Sequence, residues 1–341
     1  MNYTEVIENN CRMVTYGKWW PRFAFHYTDV TNAIGILKEG MLYSRFDATN
    51  RRLMSNDNAS RQVIDMTFSG TASYVRFYFR PLTPTQFHNE GYKHTGLRYC
   101  SDDNANVPVP VFFLFDLETV LSMKETRFSE QSLAGGGSEL HRGPEEFANL
   151  NFSQIYKSGF MEDAELEKKY RHAEIIYPDQ FPIDEALRKI VCRNDIERMT
   201  LLNLLRKNAP KAYSKYQNMI EVRPDCYEHN GLYVTRCNYF EDKAAVVFSK
   251  TANKIYYTRK YKQQPNDRLL LKAEAEFEWM HSDKLINRQV CGFTIDYEET
   301  ENVVFSKLCK PSGATALHMR IKIENKLICY MCWQLAEAAL L

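Results

Sequence analysis

The stretch Tyr170-Arg171-His172-Ala173-Glu174-Ile175-Ile176-Tyr177 decides how the first half of the chain is read. It follows a charged run, residues 162–169, in which Glu165 and Lys169 sit four apart on one helical face. The texture then changes. Ala173, Ile175 and Tyr177 alternate with His172, Glu174 and Ile176, which is the period of a strand. Glu174 is therefore a carboxylate at the start of a mostly apolar strand. Such a group is costly there unless it is paired or used. Two readings are open: an edge strand whose Glu faces water, or a first half built to bring a ligand against Glu174.

The length of 341 residues suggests two domains rather than one core. The 44 Lys and Arg balance 43 Asp and Glu, so any nucleic-acid-binding surface has to be local. The 21 Tyr, 20 Phe and 4 Trp supply core, and also stacking platforms for bases and nicotinamide. No signal peptide and no membrane-spanning apolar run is read, so a cytoplasmic protein is expected. Nine Cys in a chain of this length read as reduced thiols. Cys329 and Cys332 form a lone CxxC along an apolar strand, without a second ligand pair at zinc spacing, and read as core. No metal site is expected.

Working outward, residues 1–22 predict a leader helix and turn. His26 lies on a short aromatic strand. Asp29 or Thr28 caps a helix with Val30, Ala33, Ile34, Leu37 and Met41 on one face and Gly40 as its stop. Taken alone, His26 reads as a core histidine bonded to a carbonyl. Residues 43–73 form a long loop carrying Arg45, Arg51, Arg52 and Arg61. Residues 74–81 predict a strand ended by proline. One face holds Val75, Phe77 and Phe79, and the other Tyr74, Arg76, Tyr78 and Arg80. The second face mixes aromatics with guanidiniums, which suits nucleotides or serves as an ordinary snorkelling surface. A buried strand is predicted over 109–117. A loop with Gly135-Gly136-Gly137 and His141 precedes the helices leading to Glu174.

Residues 191–220 read as a helical, basic linker. Residues 221–341 read as a β-rich domain of about eight short strands, one of them at 254–261. Residues 250–262 hold Lys250, Lys254, Arg259, Lys260 and Lys262 with no acid, a solvated face or a nucleic-acid patch. Walker A, GxGxxG, HExxH and GxSxG motifs are all absent, which sets aside P-loop, Rossmann and common hydrolase chemistry.

Three ordered blocks then resemble one family. They are Phe25-His26-Tyr27-Thr28-Asp29 with the following helix, Tyr74-Val75-Arg76-Phe77-Tyr78-Phe79-Arg80-Pro81, and Arg171-His172-Ala173-Glu174-Ile175 with Phe181-Pro182. Their order and spacing resemble DarT, toxins that ADP-ribosylate bases of single-stranded DNA. The resemblance spans residues 23–190. It implies an α+β ADP-ribosyltransferase fold, a split antiparallel sheet with an NAD cleft, in residues 1–190. It implies NAD as co-substrate, held by His26 and Thr28 with Tyr74 at the nicotinamide. It makes Glu174 catalytic and gives a loop Arg as its partner. Arg61 is the best match, and Arg51 and Arg52 are alternatives.

Arg76 replaces the family's usual Pro and Arg80 its Cys, so the thymidine target is not carried over. A guanine-directed or RNA-directed branch is an alternative. Arg76, Arg80 and His141 are the expected substrate-side residues. A cognate antitoxin is the expected partner and no membrane is. Chemically, one carboxylate beneath the ribose would oppose charge growing at C1′ and take a proton from the attacking base nitrogen. Two competitors remain: protein-directed transfer, and a nucleic-acid-binding protein with a degenerate transferase domain.

Overall fold

The protein is seen in a computed structural model that describes residues 2–54, 71–98, 106–133, 138–159 and 163–335. It opens on helix α1 (Tyr3–Met13), where Asn2 and Glu5 form a reciprocal capping box. β1 (Phe23–Asp29) runs directly into α2 (Val30–Glu39). The Asp29 carboxylate accepts from the Thr31 amide at 2.9 Å and closes the start of α2. Gly40 ends it at φ 68°, a left-handed turn that a β-carbon would disfavour. Both caps are those the sequence predicts.

The remaining strands of the first body are β2 (Met41–Tyr43), β3 (Tyr74–Tyr78), β4 (Pro110–Asp116), β5 (Arg127–Ser129), β6 (Glu174–Pro178), β7 (Gln180–Pro182), β8 (Leu187–Cys192) and β9 (Ile220–Val222). Among the described residues they make a seven-stranded sheet, order β5-β6-β3-β1-β4-β8-β9, and a separate β2–β7 ribbon. Pairing is antiparallel except between β8 and β9. Val111, Phe112, Phe113, Leu114 and Phe115 of β4 are all buried, so both faces of this central strand are covered. The mixed α and β architecture with a β-rich C-terminal part is the one expected.

The stretch 191–220, expected as a linker, contributes to the first core. Leu201, Leu205, Ala212, Tyr216 and Ile220 are buried in it, and that core closes at Tyr227. The helix Asp195–Asn208 looked like a basic surface element because Arg206 and Lys207 crowd its last turn. Its apolar side is nevertheless packed.

The second body holds β10 (Val234–Phe240), β11 (Lys243–Phe248), β12 (Leu270–His281), β13 (Lys284–Asp296), β14 (Asn302–Phe305), β15 (Ala316–Ile323) and β16 (Lys326–Gln334). They form sheets of order β10-β11-β14 and β13-β12-β15-β16 around a separate core. Residues 254–261, expected as a strand, lie in the helix Ala252–Tyr261. Thr251 caps it, and Lys254, Tyr257 and Thr258 are buried at helical spacing. Cys329 and Cys332 are free thiols on β16. No helix among the described residues is long and apolar enough to cross a membrane.

The two bodies meet where Gly91 lies against Gly231, so closely that a β-carbon on Gly231 would sit 2.4 Å from the Gly91 Cα. Tyr92 and Leu232 exchange backbone hydrogen bonds there. Beside them Glu90 and Arg193, both fully buried, pair at 3.1 Å, and Glu197 takes the other side of the guanidinium. Glu90 also accepts from the amides of Glu228 and His229 at 2.8 and 2.7 Å. A buried charge with that many donors is satisfied, and losing one partner would leave the others stranded.

Candidate active site

β6 begins at Glu174, and its neighbours on both sides are fixed by register: Tyr78 of β3 on one side, Ser129 of β5 on the other. Directly opposed residues in an antiparallel ladder project to the same face. Glu174 is 2% exposed, and its Oε2 has no hydrogen-bond partner among the described residues. Arg76 Nη1 lies 3.6 Å from that oxygen. The Leu133 amide donates to the carboxylate. Burial raises the Glu174 carboxyl to about 7, with Arg76 and the Leu133 amide opposing the rise. The group is thus poised to exchange a proton near neutrality.

His26 sits on β1 next to β3. Its Nδ1 is 3.0 Å from the Arg76 carbonyl oxygen. A carbonyl only accepts, so Nδ1 carries the proton and Nε2 is left as an acceptor. Burial lowers the His26 pKa, which keeps the ring neutral at pH 7. Thr28 follows two residues later and is buried. Tyr74 is half-buried at the first position of β3. His26, Arg76 and Glu174 are thus brought together at the centre of the sheet.

Arg80 is not at this site. The strand ends at Tyr78, the alternation stops with it, and Arg80 turns inward to 2% exposure. Its guanidinium donates to the carbonyls of Pro81 at 3.0 Å, Ile155 at 3.0 Å and Lys157 at 2.6 Å, and lies 5.1 Å from the Trp20 ring centre. This is a structural arginine, and the substrate-side expectation for it is corrected. His141 exchanges backbone hydrogen bonds with Phe128 of β5, at the sheet edge beyond β6. Its Nδ1 is 3.7 Å from Glu146. Arg61 and Gly135-Gly136-Gly137 lie outside the described residues. Arg51 lies over the Tyr43 ring at 4.7 Å, and Arg52 is exposed with φ 55°.

Two side chains not singled out from the sequence flank Glu174. Tyr78 opposes it across the ladder, and His172 precedes it by two residues. Their rings are 6.4 Å apart. The position of Tyr78 two residues from Arg76 was the only signal; its pairing with Glu174 needs the fold. No cluster of three or more His, Cys, Asp or Glu suited to a metal is found among the described residues.

A family model described as "ssDNA thymidine ADP-ribosyltransferase, DarT" matches residues 25–228. Solved structures are similar over the same region. Thermus sp. 2.9 DarT in complex with carba-NAD+ has a TM-score of 0.46 and 18% identity, covering 61% of this chain and 98% of that one. The same protein in complex with ADP-ribosylated ssDNA has a TM-score of 0.48 and 17% identity, covering 61% and 96%. Thermosipho africanus DarTG in complex with ADP-ribose has a TM-score of 0.47 and 12% identity, covering 64% and 53%. A search of curated proteins finds no match.

Proposed function

The chain belongs to the DarT family of ADP-ribosyltransferases, and on that premise we propose that it transfers ADP-ribose from NAD to a base of single-stranded DNA. The observation that carries this reading is the buried Glu174 carboxylate, with one open oxygen and a pKa near 7, faced by Arg76.

NAD supplies the ADP-ribosyl group and releases nicotinamide. The acceptor set of the cleft suits it: the His26 Nε2 lone pair fits a ribose hydroxyl or carboxamide N–H, and Thr28 and Tyr74 line the same strands. Glu174, ionised, opposes positive charge at the ribose carbon. It also accepts the proton of the attacking base nitrogen as the new nitrogen–carbon bond forms. Base catalysis of this kind is commonly worth about a hundred- to ten-thousand-fold. Arg76, 23% exposed at the mouth, is suited to a nucleic-acid phosphate. His141, at the sheet edge, faces the same approach, and Arg61 is assigned the catalytic loop position by its sequence match. An unpaired base is required because its edge must enter the cleft.

The biological reading is a toxin, neutralised by a cognate antitoxin or used against phage, with the β-rich second body as an accessory module. The test is mass spectrometry of single-stranded oligonucleotides of one base type each, incubated with enzyme and NAD. Addition of one ADP-ribosyl group to a DNA base is expected. Adducts on RNA or protein alone would overturn the DNA assignment.

A further inference from the structure

The Glu174 pocket has a second layer that the transferase reading does not use. His172 is buried, and its two ring nitrogens have unlike partners. Nδ1 is 3.0 Å from the Lys168 carbonyl oxygen, so it bears the proton. Nε2 is then an acceptor. It lies 2.9 Å from the Thr85 hydroxyl and 3.2 Å from the Thr85 amide. The Thr85 proton therefore points at His172, and the Thr85 oxygen is left to accept. Its partner is the hydroxyl of Tyr78. The chain of donation is fixed in one direction, from Tyr78 to Thr85 to His172 to the Lys168 carbonyl.

That direction matters because Tyr78 is the cross-strand neighbour of Glu174. A phenol at that place is a natural donor to a carboxylate, yet Glu174 Oε2 receives no hydrogen bond among the described residues. Thr85 is itself held from behind. It lies in the short helix Pro84–Asn89, where the Gln86 side chain donates to Glu90 at 2.7 Å and to the Cys226 carbonyl at 2.8 Å. Asn230 donates to the Phe87 carbonyl at 3.0 Å. The helix is thus anchored at the junction with the second body.

We propose that Thr85 and His172 are positioning residues that commit the Tyr78 hydroxyl away from Glu174, leaving its oxygen open to the acceptor base. This rests on the reading of Glu174 as the catalytic carboxylate. The titratable groups facing Glu174 among the described residues are Arg76 and Tyr78 from β3 and His172 from its own segment; β5 offers Ser129. Burial holds His172 down to about 4, so it stays neutral over the working range and acts by geometry.

The test is the pH profile of NAD turnover in Thr85→Val, Thr85→Ser and Tyr78→Phe. Valine keeps the shape and removes the hydroxyl, so Tyr78 is freed to donate to Glu174 and stabilise its charged form. The acid limb should move down by about one pH unit and kcat fall about tenfold, with the KM for NAD little changed. Serine should restore both. Tyr78→Phe should leave the limb where it is. Carbon-13 NMR titration of the Glu174 carboxyl reads the same shift without turnover. An unmoved limb in Thr85→Val, or an equal shift in Tyr78→Phe, would overturn the proposal. Glu174→Gln run alongside separates the two claims: if it retains turnover, the catalytic reading fails instead.

Discussion

Arg76 Nη1 stands 3.6 Å from Glu174 Oε2, reaching diagonally across two paired strands, since Arg76 opposes Ile176 and Glu174 opposes Tyr78. The same Arg76 offers its carbonyl to His26 at 3.0 Å. One residue of β3 therefore ties the histidine and the carboxylate into one geometry. The distance is too long for a firm charged hydrogen bond, so burial wins and Glu174 is raised rather than lowered.

Removing the guanidinium should raise Glu174 further. In Arg76→Met the acid limb of the rate profile is expected to move to higher pH. Affinity for single-stranded oligonucleotide should fall, and more so at low salt, where phosphate contacts count most. Rate profiles and titrations at two salt concentrations check both effects.

The raised carboxyl also sets a stability trend. Glu174 goes from an ordinary value of 4.5 to about 7 on folding. Between those values the folded state binds more protons than the unfolded one, so stability falls as pH rises through this window. Glu174→Gln cannot ionise and escapes the loss. Its melting temperature should exceed the wild type's at pH 8, with the gap closing by pH 5.

Arg80→Met should act on stability and not on substrate. Three carbonyls, of Pro81, Ile155 and Lys157, lose their donor in a buried place. Stranded buried acceptors cost about 1–3 kcal/mol each in other proteins, so a clear drop in melting temperature is expected. In the folded fraction, measured below the transition, the KM for oligonucleotide should be unchanged.

Gly231→Ala should loosen the junction. The new methyl would meet Gly91 backbone at 2.4–2.5 Å, where nothing flexible can yield. Limited proteolysis is expected to separate the two bodies faster than in the wild type.

Local chemistry was legible in the sequence. The Asp29 and Gly40 caps, the strand at Glu174 and the aromatic β3 all follow from spacing and residue type. What failed did so where a local pattern was carried past its end or met a tertiary demand. Arg80 was placed by an alternation that stops two residues earlier. The β-branched and aromatic residues Ile255, Tyr256 and Tyr257 read as a strand, yet Thr251 caps a helix there and Tyr257 packs into the second core. The opposition of Tyr78 to Glu174 and the Thr85–His172 contact join residues about a hundred positions apart. No spacing rule reports such pairs.

The most direct measurement of the central claim is Glu174→Gln assayed for transfer of ADP-ribose to single-stranded DNA, with NAD binding followed in parallel by calorimetry. Loss of transfer by at least about a hundredfold with NAD affinity retained is the expected result. Transfer at the wild-type rate by a folded Glu174→Gln protein would contradict the account.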